Sequence, residues 1–108
     1  MTSKRLGMLE KMTGDGAKDP FVWYALALEY SGAGRIDEAL ATFVKLRDIK
    51  SDYVPMYLMC GSMLATAGRR DEARHWLTEG VTVARVAGDQ HALGEIETAL
   101  AALPNAGN

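Results

Sequence analysis

The chain repeats itself after 34 residues, and this repeat limits its possible folds more than any other feature of the sequence. Residues 34–39 read GRIDEA and residues 68–73 read GRRDEA, so five of the six positions are identical. Beyond this segment, the same offset pairs large apolar residues with large ones, as in Trp23 and Tyr57, and small residues with small ones. A period of this length is typical of stacked helical repeats.

Each 34-residue unit has the sequence pattern of two helices separated by a turn that contains glycine. In the first unit, Asp19 and Pro20 are residue types that open a helix, and apolar residues then follow at spacings of three and four. Asp52 and Pro55 take the same part in the second unit. Acids early and bases late in the second helix of the first unit complement the helix dipole. We therefore expect helices over residues 21–30, 35–47, 55–68 and 70–86.

Both ends of the chain add one further helix to this pattern. Ser3 is placed to cap a helix over residues 4–12, and the glycines at 14 and 16 end it. Apolar residues at helical spacing predict another helix over residues 90–103. The expected product is one all-α domain over residues 1–108. Its parts are an N-terminal half-repeat helix (3–13), repeat 1 (20–53), repeat 2 (54–87), a C-terminal capping helix (89–103) and a tail (104–108).

Residues at fixed positions of both units resemble the tetratricopeptide-repeat signature, in which Trp, Leu, Gly and Tyr precede Ala and Phe. The matching residues are Trp23, Leu26, Ala27, Tyr30, Ala39 and Phe43 in the first unit and Tyr57, Cys60, Gly61, Leu64, Ala73 and Leu77 in the second. The sequence departs from the family at Ala27, where Gly is usual, and at Ser51 and Arg85, where the signature has Pro. The resemblance implies a right-handed superhelical stack of helix-turn-helix repeats with about six helices.

The sizes of the matching residues fit such a stack. A single helix pair cannot bury both of its faces, so neighbouring pairs have to share a core. The small residues of the signature let helices approach closely, and the large ones fill the space between them. We therefore expect Ala39 and Ala73 to lie at crowded helix contacts, where a larger side chain would be destabilising.

The resemblance also implies where a partner would bind. Members of the family hold a peptide or helix in a concave groove lined by the first helix of each repeat. Rotation by about 100° per residue separates the groove positions from the core positions of each first helix. The candidate partner-binding residues are Phe21, Tyr24, Leu28, Leu58, Met59 and Ser62. Most of them are apolar, so we expect an apolar or amphipathic ligand.

Three occupants of this apolar face stay open at the level of the sequence. The end helices of the chain could cover it, a second copy could bury it, or a peptide of another protein could bind there. The leading hypothesis is a non-catalytic protein–protein interaction module, an adaptor or scaffold. The alternative is a self-assembling structural protein whose groove is buried in a homodimer. A carboxylate clamp is not expected, because Tyr24 and Leu28 stand where lysine and asparagine would be needed.

Residues that could support catalysis or bind a metal do not have the required spacing. Cys60 takes the place of Leu26 in the repeat register, so we expect it to be a buried apolar residue. His75 and His91 are expected to face water, and no CxxC or HxxxH pattern is present. Adjacent carboxylates occur in first helical turns, where the helix dipole accounts for them. We expect no catalytic, cofactor or metal site.

Composition excludes further classes of protein. The 12 basic and 14 acidic residues give a net charge of −2, which argues against nucleic acid as a partner. The arginines at 69, 70 and 74 are expected to pair with nearby acids on a solvated face. No apolar run is long enough to span a membrane, so no membrane partner is expected. A single cysteine is compatible with a reducing compartment, and we expect a cytoplasmic location.

Overall fold

The computed structural model describes residues 3–104, and this part of the chain contains six helices and no strand. The helices are α1 (Lys4–Gly14), α2 (Pro20–Gly32), α3 (Ile36–Ile49), α4 (Val54–Thr66), α5 (Arg70–Ala87) and α6 (Gln90–Ala102). The predicted all-α helical repeat fold is confirmed, and each helix begins and ends within two residues of its predicted bounds. Most of the predicted tail lies outside the described residues.

The chain divides into two compact units, Met1–Ser51 and Asp52–Asn108. In the first unit, α2 packs against both α1 and α3. In the second unit, α4, α5 and α6 each pack against the other two. The assignment of the whole chain to one domain, with the repeat boundaries given above, stays a prediction.

The same turn joins the two helices of each repeat. Its glycine has a positive φ, 76° at Gly34 and 80° at Gly68, which is a conformation that side chains with a Cβ disfavour. In the first turn, the amide of Arg35 donates to the carbonyl of Tyr30 at 2.9 Å, and the second turn repeats this bond at 2.8 Å. These bonds satisfy carbonyl groups at the end of the preceding helix. The backbone geometry of the turn therefore explains why glycine recurs after 34 residues.

The arginine that follows each glycine stabilises the next helical turn. Arg35 donates from Nε and Nη2 to the two carboxylate oxygens of Glu38, both at 2.6 Å. Arg69 binds Glu72 in the same way, at 2.7 and 3.0 Å. The hydrogen bonds from Arg35 hold the pKa of the Glu38 carboxyl below its usual value. Both pairs are at the surface, so they shape the turn more than they stabilise the fold.

Two of the three predicted helix caps are confirmed, and the third is wrong. The Ser3 hydroxyl accepts from the amide of Leu6 at 3.0 Å, and the Asp19 carboxylate accepts from the amide of Phe21 at 2.9 Å. Asp52 does not take the capping position, because α4 begins at Val54 and is preceded there by Tyr53. The proline at the second position of α4 fixes a helical φ, which favours a helix that begins at Val54.

The cores of both units place small residues where helices meet. Ala39 and Ala73 are completely buried, as predicted. A Cβ atom added at Gly80 of α5 would lie 2.6 Å from the Cβ of Tyr57 on α4, so the contact between these helices requires a glycine. Cys60 is also completely buried, which confirms its predicted place among the apolar residues.

Candidate functional site

The first unit places three of the predicted binding residues on one face of α2. Phe21, Tyr24 and Leu28 follow one another at spacings of three and four, so their side chains share a side of the helix. The Phe21 side chain is 60% exposed, and the other two are half-buried. This face is therefore apolar and partly open to water.

The second unit places the remaining three residues on α4, which also packs against α6. Leu58 and Ser62 are half-buried, and Met59 is 39% exposed. Leu58 borders a cleft of ≈ 480 Å³, whose other walls come from Gln90, His91, Gly94, Glu95 and Thr98 of α6. One end helix therefore takes up part of the face that the sequence left open. Partner binding by any of these six residues stays a prediction.

Ser62 borders a larger cleft of ≈ 740 Å³, to which all three helices of the second unit contribute. Arg69 and Arg70 lie at this cleft together with Asp71 and Glu72. Arg69 is hydrogen-bonded to Glu72, and Arg70 lies 3.8 Å from Asp71. The charges at the cleft therefore balance, and the predicted pairing with nearby acids is confirmed for Arg69 and Arg70. Arg74, the third member of the basic cluster, donates to the carbonyl of Pro104 at 3.1 Å.

Sequence reasoning missed a third cleft, which lies in the first unit. It has a volume of ≈ 590 Å³, and its walls include Lys18, Trp23, Lys45 and Ile49. The sequence contains one feature that distinguishes this cleft, a difference in charge between the two repeats. The residues found 34 positions after the two lysines are both acids, so the charge is reversed between equivalent positions of the two repeats.

A short hydrogen bond of the first unit joins α1 to α2. The Tyr30 hydroxyl donates to a carboxylate oxygen of Glu10 at 2.6 Å, and the guanidinium carbon of Arg35 lies 4.8 Å from the Tyr30 ring centroid. The hydrogen bond to Glu10, assisted by burial, raises the pKa of Tyr30 to about 12. The hydroxyl therefore stays protonated at neutral pH and acts as a structural donor rather than as a base.

The residues with the potential for catalysis or metal binding are dispersed. Within residues 3–104, no group of three or more His, Cys, Asp or Glu side chains could hold a metal ion. His75 and His91 are exposed, as predicted from the sequence. None of the helices in this part of the chain has the length and apolar character needed to cross a membrane.

The described geometry defines a class of protein: an all-α protein built from helix-turn-helix repeats. This chain is similar to two solved structures of a tetratricopeptide repeat domain protein from Salinibacter ruber. Its crystal structure is 36% identical in sequence, covers 77% of this chain and 93% of that chain, and has a TM-score of 0.69. Its solution structure covers 77% of this chain and 84% of that chain, with a TM-score of 0.70.

A protein from Bordetella parapertussis has a similar solution structure, with 25% identity and a TM-score of 0.78. This similarity covers 94% of the present chain and 87% of that chain. No family model and no curated protein matches the chain. The identity and coverage shared with the Salinibacter ruber protein are nevertheless sufficient, and the chain belongs to the tetratricopeptide-repeat family. In general terms, it is a protein–protein interaction module.

Proposed function

We propose that this protein binds an apolar or amphipathic helix or peptide of another protein through the partly exposed faces of α2 and α4, and that it does so without catalysis. The observation that carries the proposal is the exposure of Phe21, an aromatic side chain, beside the half-buried Tyr24 and Leu28. Monomeric proteins rarely leave a contiguous apolar patch open to water unless it is a contact surface.

The composition of the two faces supports a helical or extended apolar ligand. Aromatic residues and methionine are enriched in protein interfaces, where they provide a large contact area. Met59 on α4 adds a flexible side chain that adapts to ligands of different shape. An amphipathic helix would supply apolar side chains at spacings of three and four for such a face.

Titration with an uncharged model helix tests the proposal. The probe is a blocked peptide of about 18 residues, with leucine at helical spacing and glutamine elsewhere. Amide shifts of the ¹⁵N-labelled protein should change along α2 and α4. The substitution Phe21→Ala should weaken binding about fivefold or more, because aromatic anchors carry much of the binding energy in interfaces.

The matched control is Val86→Ala, which truncates an apolar side chain on α5 that is 86% exposed. This variant should bind the model helix as the parent does. Equal weakening by both variants, or shifts that avoid α2 and α4, would overturn the proposal.

Light scattering over a concentration series separates the proposal from the self-assembling alternative. The proposal expects a mass near the 11.7 kDa of the single chain at every concentration. A stable dimer that Leu58→Glu dissociates would favour a structural protein whose apolar face is buried in a homodimer. The predicted cytoplasmic location is part of the same proposal.

A further inference from the structure

The cleft of the first unit that the sequence analysis missed is lined mainly by the loop after α1, the first turn of α2 and the end of α3. We call it the lysine cleft and define it by Lys18, Trp23, Lys45 and Ile49. We propose that the lysine cleft binds an acidic segment of a partner protein, with an apolar side chain against Trp23 and carboxylates at the two lysines. This site is separate from the apolar faces of α2 and α4.

The dimensions of the lysine cleft suit a ligand of a few residues. Its volume of ≈ 590 Å³ falls within the range of about 300–1,000 Å³ that is usual for ligand sites. Its Trp23 wall is fixed in place, because the indole Nε1 donates to the carbonyl of Ala17 at 2.8 Å. A wall that is already ordered loses little freedom when a ligand binds.

The charge of the lysine cleft has one sign. Lys18 and Lys45 line it, and no aspartate or glutamate is among the lining residues. The Lys45 ammonium lies 5.9 Å from the centroid of the Trp23 ring, where it is weakly attracted by the ring face. The whole chain has a net charge of −2, so this local excess of positive charge runs against the composition of the protein.

The repeat shows that the fold does not require these lysines. At the positions 34 residues later, Asp52 and Glu79 replace Lys18 and Lys45. The aromatic position differs too: its residue in the second unit, Tyr57, is almost completely buried, whereas Trp23 is only half-buried. Since the second unit forms the same helix pair with acids at these positions, the two lysines are not needed for packing.

The chemistry of the walls identifies the class of ligand. Two ammonium groups attract carboxylates, and electrostatic complementarity of this kind gives specificity and speeds association. Trp23 and Ile49 offer apolar surface next to those charges. The Thr13 hydroxyl at the same cleft already donates to main-chain carbonyls of α1. Polar recognition therefore rests on the lysines, and a peptide with an aromatic residue between acids fits them.

The experiment uses Trp23 as its reporter. Only two tryptophans are present, so Trp76→Phe leaves Trp23 as the single indole fluorophore. The probe is a blocked pentapeptide with phenylalanine at its centre and glutamate elsewhere. We expect a saturable change of Trp23 fluorescence that weakens with added salt, because salt screens exposed charges. A peptide with lysine in place of every glutamate should leave the fluorescence unchanged.

Variants that change the net charge equally show whether the cleft itself is responsible. Lys45→Glu introduces the residue of the second repeat and should weaken binding of the acidic peptide about tenfold or more. Lys4→Glu makes the same charge change on the exposed first residue of α1 and should alter binding by less than about twofold. Lys45→Gln provides a milder variant, and thermal melting of each variant verifies folding.

Several results would overturn the proposal. Equal weakening of acidic-peptide binding by Lys45→Glu and Lys4→Glu would show that the net charge of the protein, and not the cleft, causes the weakening. An unchanged Trp23 signal at millimolar peptide would exclude the site. Tighter binding of a short oligouridine at the same residues would assign the cleft to nucleic acid. The uncharged leucine–glutamine helix should bind Lys45→Glu as it binds the parent. Failure of the lysine-cleft proposal is therefore distinguishable from failure of the proposed function, which that helix tests.

Discussion

The two repeats follow the same 34-residue plan, but equivalent positions make different contacts in the two units. In the first unit, a hydrogen bond from Tyr30 to Glu10 joins α2 to α1. The second unit has Leu64 at the position of Tyr30. It has a close helix approach at another position, with Gly80 against Tyr57. Equivalent positions of the two repeats therefore carry a polar contact in one unit and a close glycine contact in the other.

The difference shows that a repeat position specifies a place in the helix pair rather than one side chain. Gly80 corresponds to the completely buried Leu46 of the first unit. A Cβ at Gly80 would lie 3.3 Å from the Cδ1 atom of Ile96, so the glycine leaves room for a side chain of α6. The helices that surround each unit thus decide how large a residue can be at a given repeat position.

The largest expected effect tests what the two repeats share. Ala39→Leu and Ala73→Leu each insert a larger side chain at a completely buried helix contact and should lower the free energy of unfolding by about 1–3 kcal/mol. Chemical denaturation measures both, with the exposed Ala41→Leu on α3 as a control that should be nearly neutral. A loss in only one unit would show that the two helix pairs are not packed alike.

The next effect tests the glycine contact that distinguishes the second unit. Gly80→Ala should lower the free energy of unfolding by about 1–2 kcal/mol, because the Cβ of Tyr57 cannot move without its backbone. Gly94→Ala on α6 is the matched control, since nothing lies within 4 Å of the added atom. The control should gain up to about 1 kcal/mol from helix propensity. Stabilisation by both substitutions would contradict the proposed role of Gly80.

The sequence predicted the helices and the core because both depend on spacing and size, which the 34-residue repeat makes visible twice. It predicted less about exposure at the candidate site. Phe21 is largely exposed, but Leu58 borders a cleft made with α6, and only the packing of that end helix decides this. The lysine cleft was missed because its walls come from separate segments of the chain.

A smaller effect tests the polar contact of the first unit. Tyr30→Phe removes the hydrogen bond to Glu10 and should lower the free energy of unfolding by about 1 kcal/mol, since the site is only partly buried. A double-mutant cycle with Glu10→Gln isolates the pair. A coupling energy near zero would mean that apolar packing, and not this hydrogen bond, holds α1 on α2.

The raised pKa of Tyr30 adds a pH dependence to the same contact. The folded state keeps the phenol protonated up to a pKa of about 12, while the unfolded chain loses the proton near 10. Stability from this group is complete below pH 10 and is lost as the pH rises toward 12. Denaturation between pH 9 and about 12 should show a steeper loss for the parent than for Tyr30→Phe. Equal slopes would contradict the hydrogen bond.

The smallest expected effect concerns the arginine that both repeats share. Arg35 binds Glu38 and also lies against the Tyr30 ring. Arg69 binds Glu72 in the same way, but the residue equivalent to Tyr30 in its unit is Leu64, which has no ring. Arg35→Gln should therefore destabilise more than Arg69→Gln, although both changes are small because the pairs are exposed.

The lowered pKa of Glu38 gives this last comparison its pH test. In the folded state the pKa of Glu38 lies below its ordinary value of 4.5. The contribution of this carboxyl to stability is therefore present above pH 4.5 and is lost as the pH falls through the folded pKa. The difference between the parent and Arg35→Gln should shrink in acid. In molar salt the electrostatic part of this stability difference should also shrink, which leaves the contribution of the contact between Arg35 and the Tyr30 ring. A difference that persists unchanged in acid and in salt would mean that Arg35 acts through packing alone.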